Sequence, residues 1–272
     1  MQSLRFSQVS VLIRQDLRYA LGNARGLLFL VFFGIFWFWI LKMLSGGTAQ
    51  KLTSPDASGL LAMMFDPKVS ALFLKNSPTL SAYFVIALKT APLICMIAAC
   101  DQTASDIGTR HIRFLAPRCN RIEIFVGRYL GSSLLIAGAY LLSTLSAFFL
   151  AWHAEGYSSD LLVYALQITL TLALYALPFV GLMSLVSASV GSSGLSALLG
   201  IVVYVVFIAI IYTIEVRWPE SSGWAKYLLP SVTQDALISA DSSEVTHGIL
   251  LAPLYASGYG ALGWFIFSKR DI

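Results

Sequence analysis

The sequence has little charge for its length. Only 12% of its 272 residues are charged, whereas a soluble domain typically carries about 25%. Hydrophobic residues make up 57% of the chain, and the mean hydropathy is +0.76. This composition excludes an ordinary soluble domain. We predict an integral membrane protein whose residues 1–272 form a single transmembrane domain.

Residues that perform chemistry are also scarce. The three histidines lie in separate connections, and the three cysteines fit neither a disulfide framework nor a metal site. No phosphate-binding loop, zinc-protease motif or nucleophile elbow occurs in the sequence. The glycine-rich turn at 191–194 is not a phosphate-binding loop, because it lacks the required lysine. We therefore expect no catalytic, cofactor-binding or metal-binding site, and we expect the cysteines to be reduced, structural thiols. The histidines are His111, His153 and His247, and the cysteines are Cys95, Cys100 and Cys119.

Six segments are long and apolar enough to cross a bilayer, which takes about 20 residues in a helix. Their apolar runs are continuous and do not alternate with polar residues, which favours helices over barrel strands. The sequence thus predicts an all-α, polytopic membrane protein with six transmembrane helices. The predicted helices are 26–44, 81–100, 129–152, 161–187, 195–214 and 248–267.

The distribution of lysine and arginine predicts the orientation, because these residues favour the cytoplasmic side of a membrane. Eleven of them lie in the N-terminal segment, the 101–128 connector and the C-terminus, and five lie in the connections on the other side. Both termini are therefore predicted to be cytoplasmic. The first group is Arg5, Arg14, Arg18, Arg25, Arg110, Arg113, Arg118, Arg121, Arg128, Lys269 and Arg270. The second group is Lys51, Lys68, Lys75, Arg217 and Lys226.

Residues 1–25 have the pattern of an amphipathic helix. Phe6, Val9, Ile13, Leu17 and Leu21 recur at spacings of three and four, and arginines lie toward the other side. This pattern is typical of a basic helix in the membrane interface. The alternative is a solvated helix with one face packed on the bundle.

Two connections on the predicted outer side are long. The 45–80 connection contains an apolar stretch near residues 60–65, which indicates a segment lying on the membrane or capping the bundle. The 215–247 connection contains interfacial aromatic residues and then a Pro-Ser step at 230–231, which fits a short helix dipping toward the membrane.

Lys89 is the one candidate for an ionisable residue deep in a span. It either lines a path or pairs with a helix carbonyl freed by Pro92, or the span begins later than predicted and the lysine extends toward the interface. So little intramembrane charge argues against a proton- or sodium-coupled carrier.

The connector between the second and third spans combines arginines with apolar residues. Ile112, Phe114 and Leu115 offer an apolar anchor among basic side chains, a mixture that fits a protein groove. The alternative is that the arginines only set topology and contact lipid headgroups. Asp101 and Asp106 fit a hydrophilic end to the second span.

The connector resembles that of the membrane-spanning subunits of ABC-2-type ABC transporters. The matching positions are Gly108-Thr109, Phe114-Leu115, Pro117, Arg121, Glu123 and Gly127-Arg128. The ending Phe267-Ser268-Lys269-Arg270-Asp271-Ile272 is similar to the ending of those subunits. Ser105-Asp106-Ile107 departs from the usual residues before Gly-Thr.

The resemblance implies a permease, with 1–25 as an elbow helix and 101–128 as a cytoplasmic coupling segment. It implies cytoplasmic ATPase subunits as partners, which bind the ATP and Mg²⁺, and a second permease copy or related chain. It also implies export, a location in the inner membrane of a bacterium or archaeon, and contact with membrane lipid but not nucleic acid. The expected ATPase contacts are Asp106, Gly108, Thr109, Arg110, Ile112, Arg113, Phe114, Leu115, Pro117 and Arg118.

Two other functions stay open from the sequence. In the first, the chain is a membrane anchor that passes ATPase motion to an extracytoplasmic partner held by the long loops, without moving cargo itself. In the second, it is a secondary carrier. The aromatic residues of the first span either favour an amphipathic or lipid-linked cargo or simply face lipid. They are Phe29, Phe32, Phe33, Phe36, Trp37, Phe38 and Trp39.

Overall fold

The structure is a computed structural model that describes residues 5–45, 67–115, 117–218, 222–239 and 242–270. Within these ranges the chain is mostly helical and contains no β-strand. Among the described helices, six are long and apolar enough to cross a membrane. The predicted fold class is therefore confirmed: this is an all-α polytopic membrane protein. The apolar stretch near residues 60–65 lies outside the described residues.

The described helices, in chain order, are α1 (Phe6–Gly22), α2 (Ala24–Met43), α3 (Pro67–Lys75), α4 (Pro78–Ala98), α5 (Ala104–Gly108), α6 (Ile112–Leu115), α7 (Arg121–Glu155), α8 (Ser159–Ser189), α9 (Ser193–Arg217), α10 (Thr233–Leu237) and α11 (Ser242–Lys269). Two 3₁₀ helices, Ser222–Leu228 and Pro230–Val232, precede α10.

Helices α4 and α8 form the centre of the bundle. In their most apolar stretches 67% of the residues are buried, against 6% in α2 and 11% in α9. The hydroxyl of Tyr83 on α4 lies 2.7 Å from Ser143 Oγ and 3.0 Å from Thr144 Oγ1 on α7, so this buried polar group is paired. The peripheral helices expose apolar side chains, as expected of surfaces that face lipid or another membrane chain.

The aromatic residues of α2 divide between two environments. Phe33 and Trp37 are buried, and the ring centroids of Trp37 and Tyr83 are 4.6 Å apart. Phe32, Phe38 and Trp39 are exposed on the other side of the helix. The first pair packs α2 onto the bundle, and the second set is available to lipid or to a ligand.

Helix α7 begins eight residues earlier than the predicted span 129–152. Its first two turns contain Arg121, Glu123 and Arg128, whose charge lowers the local hydropathy. Each of these side chains has a partner in the folded protein, so the helix extends beyond its apolar part. The boundary predicted from hydropathy therefore marks the apolar part of α7 and not its first turn.

Helix α1 packs against the beginning of α7 through two glycines. A Cβ atom at Gly127 would lie 2.8 Å from Leu12 Cβ, and one at Gly131 would lie 2.7 Å from Asp16 Oδ2. Glycines four residues apart let two helices approach closely. Val9 and Leu12 are buried in this contact, whereas Phe6 and Leu21 are exposed. One face of α1 thus packs on the bundle, and its exposed apolar side chains are of the kind that insert into a membrane interface.

The beginning of α1, the connector 99–120, the turn at 190–192 and the end of α11 meet at one end of the bundle, which we call the connector end. Arg121 Nη1 donates to the Ser268 and Arg270 carbonyls at 2.9 and 3.0 Å, and Arg270 Nη1 donates to the Ala188 carbonyl at 2.6 Å. Cations at these helix C-termini satisfy carbonyls that lack a helical partner. The connections at this end are therefore tied to one another.

Candidate functional site

The first part of the connector is anchored in α8. Gln102 Nε2 donates to the Val180 carbonyl at 3.0 Å, and Thr103 Oγ1 lies 3.1 Å from Ser187 Oγ. Gln102 and Thr103 are both buried. Because buried polar groups are costly without a hydrogen bond, these contacts fix the chain as it leaves α4.

Arg128 joins three helices at the connector end. Its guanidinium on α7 forms an ion pair with Asp16 of α1, and its Nη2 lies 2.7 Å from Asp106 Oδ2 of α5. The three side chains are only 10–14% exposed. A buried cation between two carboxylates holds α1, α5 and α7 together, since removal of the guanidinium would leave both carboxylates without a cation.

Asp106 is thus a supporting residue rather than a surface residue. Burial raises the pKa of its carboxyl to about 6, because the charged form loses hydration; His111 opposes this effect and Asp101 adds to it. The ion pair with Arg128 favours the charged carboxylate and compensates for part of the lost hydration.

Glu123 closes the other side of this region. Its side chain is fully buried, and it accepts hydrogen bonds from the Asn120 backbone N–H at 2.8 Å and from the Arg5 backbone N–H at 3.0 Å. Arg5 Nε also lies 3.2 Å from Glu123 Oε1. The bond to Asn120 caps the first turn of α7, and the bonds to Arg5 hold the beginning of α1.

Gly108 places the connector against the turn between α8 and α9. A Cβ atom at Gly108 would overlap the backbone carbonyl oxygen of Gly191. The next turn contains Arg110 in a left-handed conformation with a φ of 57°. This reversal divides the connector into α5 and α6, because an L-residue in this region cannot continue a right-handed helix.

Ile112 does not lie on the surface that the sequence predicted for it. It is 0% exposed and packs with Leu12, Ile124, Phe125 and Phe267. The prediction that Ile112 anchors a partner is wrong, because its side chain is already buried against the bundle. The apolar anchor left for a partner is Phe114, which is 74% exposed, together with the half-buried Leu115.

Six other predicted contact residues have exposed side chains. We define the connector surface as Thr109, Arg110, Arg113, Phe114, Pro117 and Arg118, all of which are exposed. Among the described residues, the side chains of Arg110, Arg113 and Arg118 have no acidic partner. The five arginines of the predicted connector, 101–128, are therefore of two kinds, since Arg121 and Arg128 bind within the protein and the other three face outward.

Lys89 lies elsewhere, at the middle of α4. It is exposed, and its Nζ donates to Gln234 Oε1 at 3.0 Å. Gln234 Nε2 donates to the Leu88 carbonyl at 2.7 Å. That carbonyl would bond to the N–H of residue 92 in a regular helix, but Pro92 has none. Gln234 of α10, and not Lys89, therefore satisfies the carbonyl freed by the proline. The span begins at Pro78, earlier than predicted, so Lys89 is not near its end.

The 3₁₀ helix Ser222–Leu228, which precedes α10, is hydrogen-bonded to α11. Tyr255 Oη donates to the Tyr227 carbonyl at 2.6 Å, and Tyr259 Oη donates to the Leu228 carbonyl at 2.9 Å. These two tyrosines of α11 thus hold the backbone of the 3₁₀ helix beside them. Gln234 was not identified from the sequence, because its partners are about 145 residues away along the chain.

In the part of the chain that the structure describes, no group of three or more His, Cys, Asp or Glu residues could hold a metal ion. The fold and the ordered, basic connector thus define an all-α polytopic membrane protein with a structured surface at one end. A family model described as a protein of unknown function (DUF2705) matches residues 57–272, and the chain belongs to this family. No curated protein matches the sequence.

Proposed function

We propose that this chain is the permease subunit of an ABC transporter of the ABC-2 type, and that the connector surface binds a separate cytoplasmic ATPase subunit. The observation that carries the proposal is the exposed Phe114 among three outward arginines. An exposed aromatic anchor with charges around it is typical of a protein-binding hot spot. The connector resemblance supports the same role.

The contacts beneath the surface support a coupling mechanism. A force on the connector acts on α7 and α1 through Asp106 and Arg128, on α8 through Gln102 and Thr103, and on the α8–α9 turn through Gly108. Packed helices respond to such a force as rigid units. ATP-driven motion of the ATPase would thereby change the arrangement of the membrane helices.

In this proposal the chain itself is not an enzyme, since ATP and Mg²⁺ bind to the partner. Two copies, or this chain and a relative, surround the path in an inner membrane with both termini cytoplasmic. Export is the direction that we propose. The alternative is an anchor that moves an extracytoplasmic partner. It shares the ATPase contact with the permease but moves no cargo itself.

We expect the Phe114→Asp variant to lose a co-purifying ATPase. In the complex, the apolar contact of Phe114 with the ATPase would be replaced by a desolvated carboxylate. The yield of co-purifying ATPase should therefore fall at least tenfold, which corresponds to about 1.4 kcal/mol. The measurement is a mild-detergent pull-down of the tagged chain, scored for a subunit that binds and hydrolyses ATP. Arg113→Glu should reduce the yield in the same direction.

The matched control is Tyr157→Asp, which changes an aromatic residue that is 62% exposed between α7 and α8 at the opposite end. It should retain the ATPase. Equal recovery with Phe114→Asp would show that the connector surface is not the contact. If the unaltered chain recovers no ATPase, the permease proposal itself fails.

A further inference from the structure

The exposed residues of α4 form a single stripe. Lys89, Leu93 and Ile97 are exposed, whereas the preceding residues from Thr79 to Leu88 are buried apart from the partly buried Ile86. Residues four apart lie on the same face of a helix. The stripe therefore begins at Lys89 and runs toward the connector end, with an ammonium group at its head and apolar side chains below.

Lys89 lies deep in the span. It is eleven residues after Pro78 and nine before Ala98, which at 1.5 Å per residue places it about 16 Å from one helix end and about 14 Å from the other. A lysine side chain cannot cover either distance to the interface. An ammonium at this depth faces a water-filled space or an anionic partner, because lipid tails cannot solvate it.

The hydrogen bonds of Gln234 fix the direction of its amide. The Leu88 carbonyl can only accept, so the amide nitrogen faces Leu88 and the amide oxygen faces Lys89. This oxygen takes one of the three ammonium donors. No carboxylate among the described residues forms an ion pair with Lys89, and the neighbouring Asp235 does not reach it. The other two donors have no hydrogen-bond acceptor among the described residues, which leaves them for a ligand.

We propose that Lys89, oriented by Gln234, binds the anionic head group of an amphipathic molecule whose chain lies along Leu93 and Ile97. The ammonium matches a phosphate or carboxylate, and the stripe matches a single hydrocarbon chain. Beyond Lys89 the helix is buried, and α10 covers this point through Gln234, so the head group stops there. As a statement about cargo, this inference rests on the proposed transport function; as a binding site, it does not.

The test is a titration of the full chain in phosphatidylcholine nanodiscs with radiolabelled dodecyl phosphate. We expect Lys89→Gln to weaken binding about tenfold or more, since a charge-assisted hydrogen bond is lost. Lys89→Arg should remain within about threefold, because the charge is kept. The matched control is Lys42→Gln, which removes an exposed lysine from the last turn of α2 and should leave binding unchanged.

Competition identifies the source of the anion. Unlabelled dodecyl phosphate should compete, and dodecyl maltoside and dodecyltrimethylammonium should not. Competition by phosphatidylglycerol would assign the site to a membrane lipid, and its absence to a single-chain amphiphile. Equal binding by the wild type and a monodisperse Lys89→Gln variant would overturn the proposal. The assay contains no ATPase, so a failed ATPase pull-down leaves it unaffected, and a failed titration leaves the pull-down result unaffected.

Discussion

Replacement of Arg128 by methionine is expected to lower the free energy of unfolding by about 3–5 kcal/mol, because it leaves two buried carboxylates without a cation. Asp16 and Asp106 both contact this guanidinium and are 14% and 10% exposed. The midpoint of thermal unfolding in detergent measures the effect. The ATPase activity that co-purifies with the chain should also fall, since α5 is no longer tied to α7.

Two further variants show whether the loss of stability comes from the broken ion pairs or only from the smaller side chain. Arg113→Met removes an exposed connector arginine and should change the unfolding free energy by no more than about 0.5 kcal/mol. Adding Asp16→Asn and Asp106→Asn to Arg128→Met should restore most of the loss, because the uncompensated charges are gone. An Arg128→Met variant as stable as Arg113→Met would contradict the role assigned to this cluster.

Replacement of Gly108 by alanine is expected to displace the connector from the α8–α9 turn. The added Cβ would overlap the Gly191 carbonyl oxygen, and a backbone atom cannot move aside as a flexible side chain can. Overpacking of this kind typically costs about 1–3 kcal/mol. We expect the thermal midpoint to fall and the yield of co-purifying ATPase to fall with it, because the connector surface changes position.

Gly194→Ala is the matched control for this change. Gly194 lies in the first turn of α9, close to the same turn, and a Cβ atom there would meet no atom within 4 Å. Alanine at this position should be neutral or stabilising by less than about 1 kcal/mol, because it restricts the unfolded chain. If both alanine variants behave alike, the close approach of Gly108 and Gly191 does not position the connector.

Within the connector, the structure divides the arginines in a way that residue type alone does not. Arg113 and Arg118 face outward, whereas Arg128 lies between two carboxylates and Arg121 caps α11. All of them contribute equally to a count of positive charges, and all favour the same side of a membrane. Their separate roles depend on whether a carboxylate or a free carbonyl from another helix lies within reach.

Composition and hydropathy were sufficient to predict an all-α membrane protein with six spans. This succeeds because the length of an apolar run is a local property, and a bilayer accepts only segments with their backbone bonds satisfied internally. The same reasoning placed the beginning of α7 too late, since hydropathy counts Glu123 as polar whether or not Arg5 and Asn120 satisfy it.

Only the tertiary structure decided what the functional candidates contact. It turned Ile112 inward, left Phe114 outside, and placed Gln234 beside Lys89 across about 145 residues of sequence. Such contacts depend on which helix faces meet, and many pairings of six apolar helices are compatible with the same hydropathy. The sequence by itself determined the class of protein and its spans, and packing determined which charged side chains are held inside and which remain available to a partner.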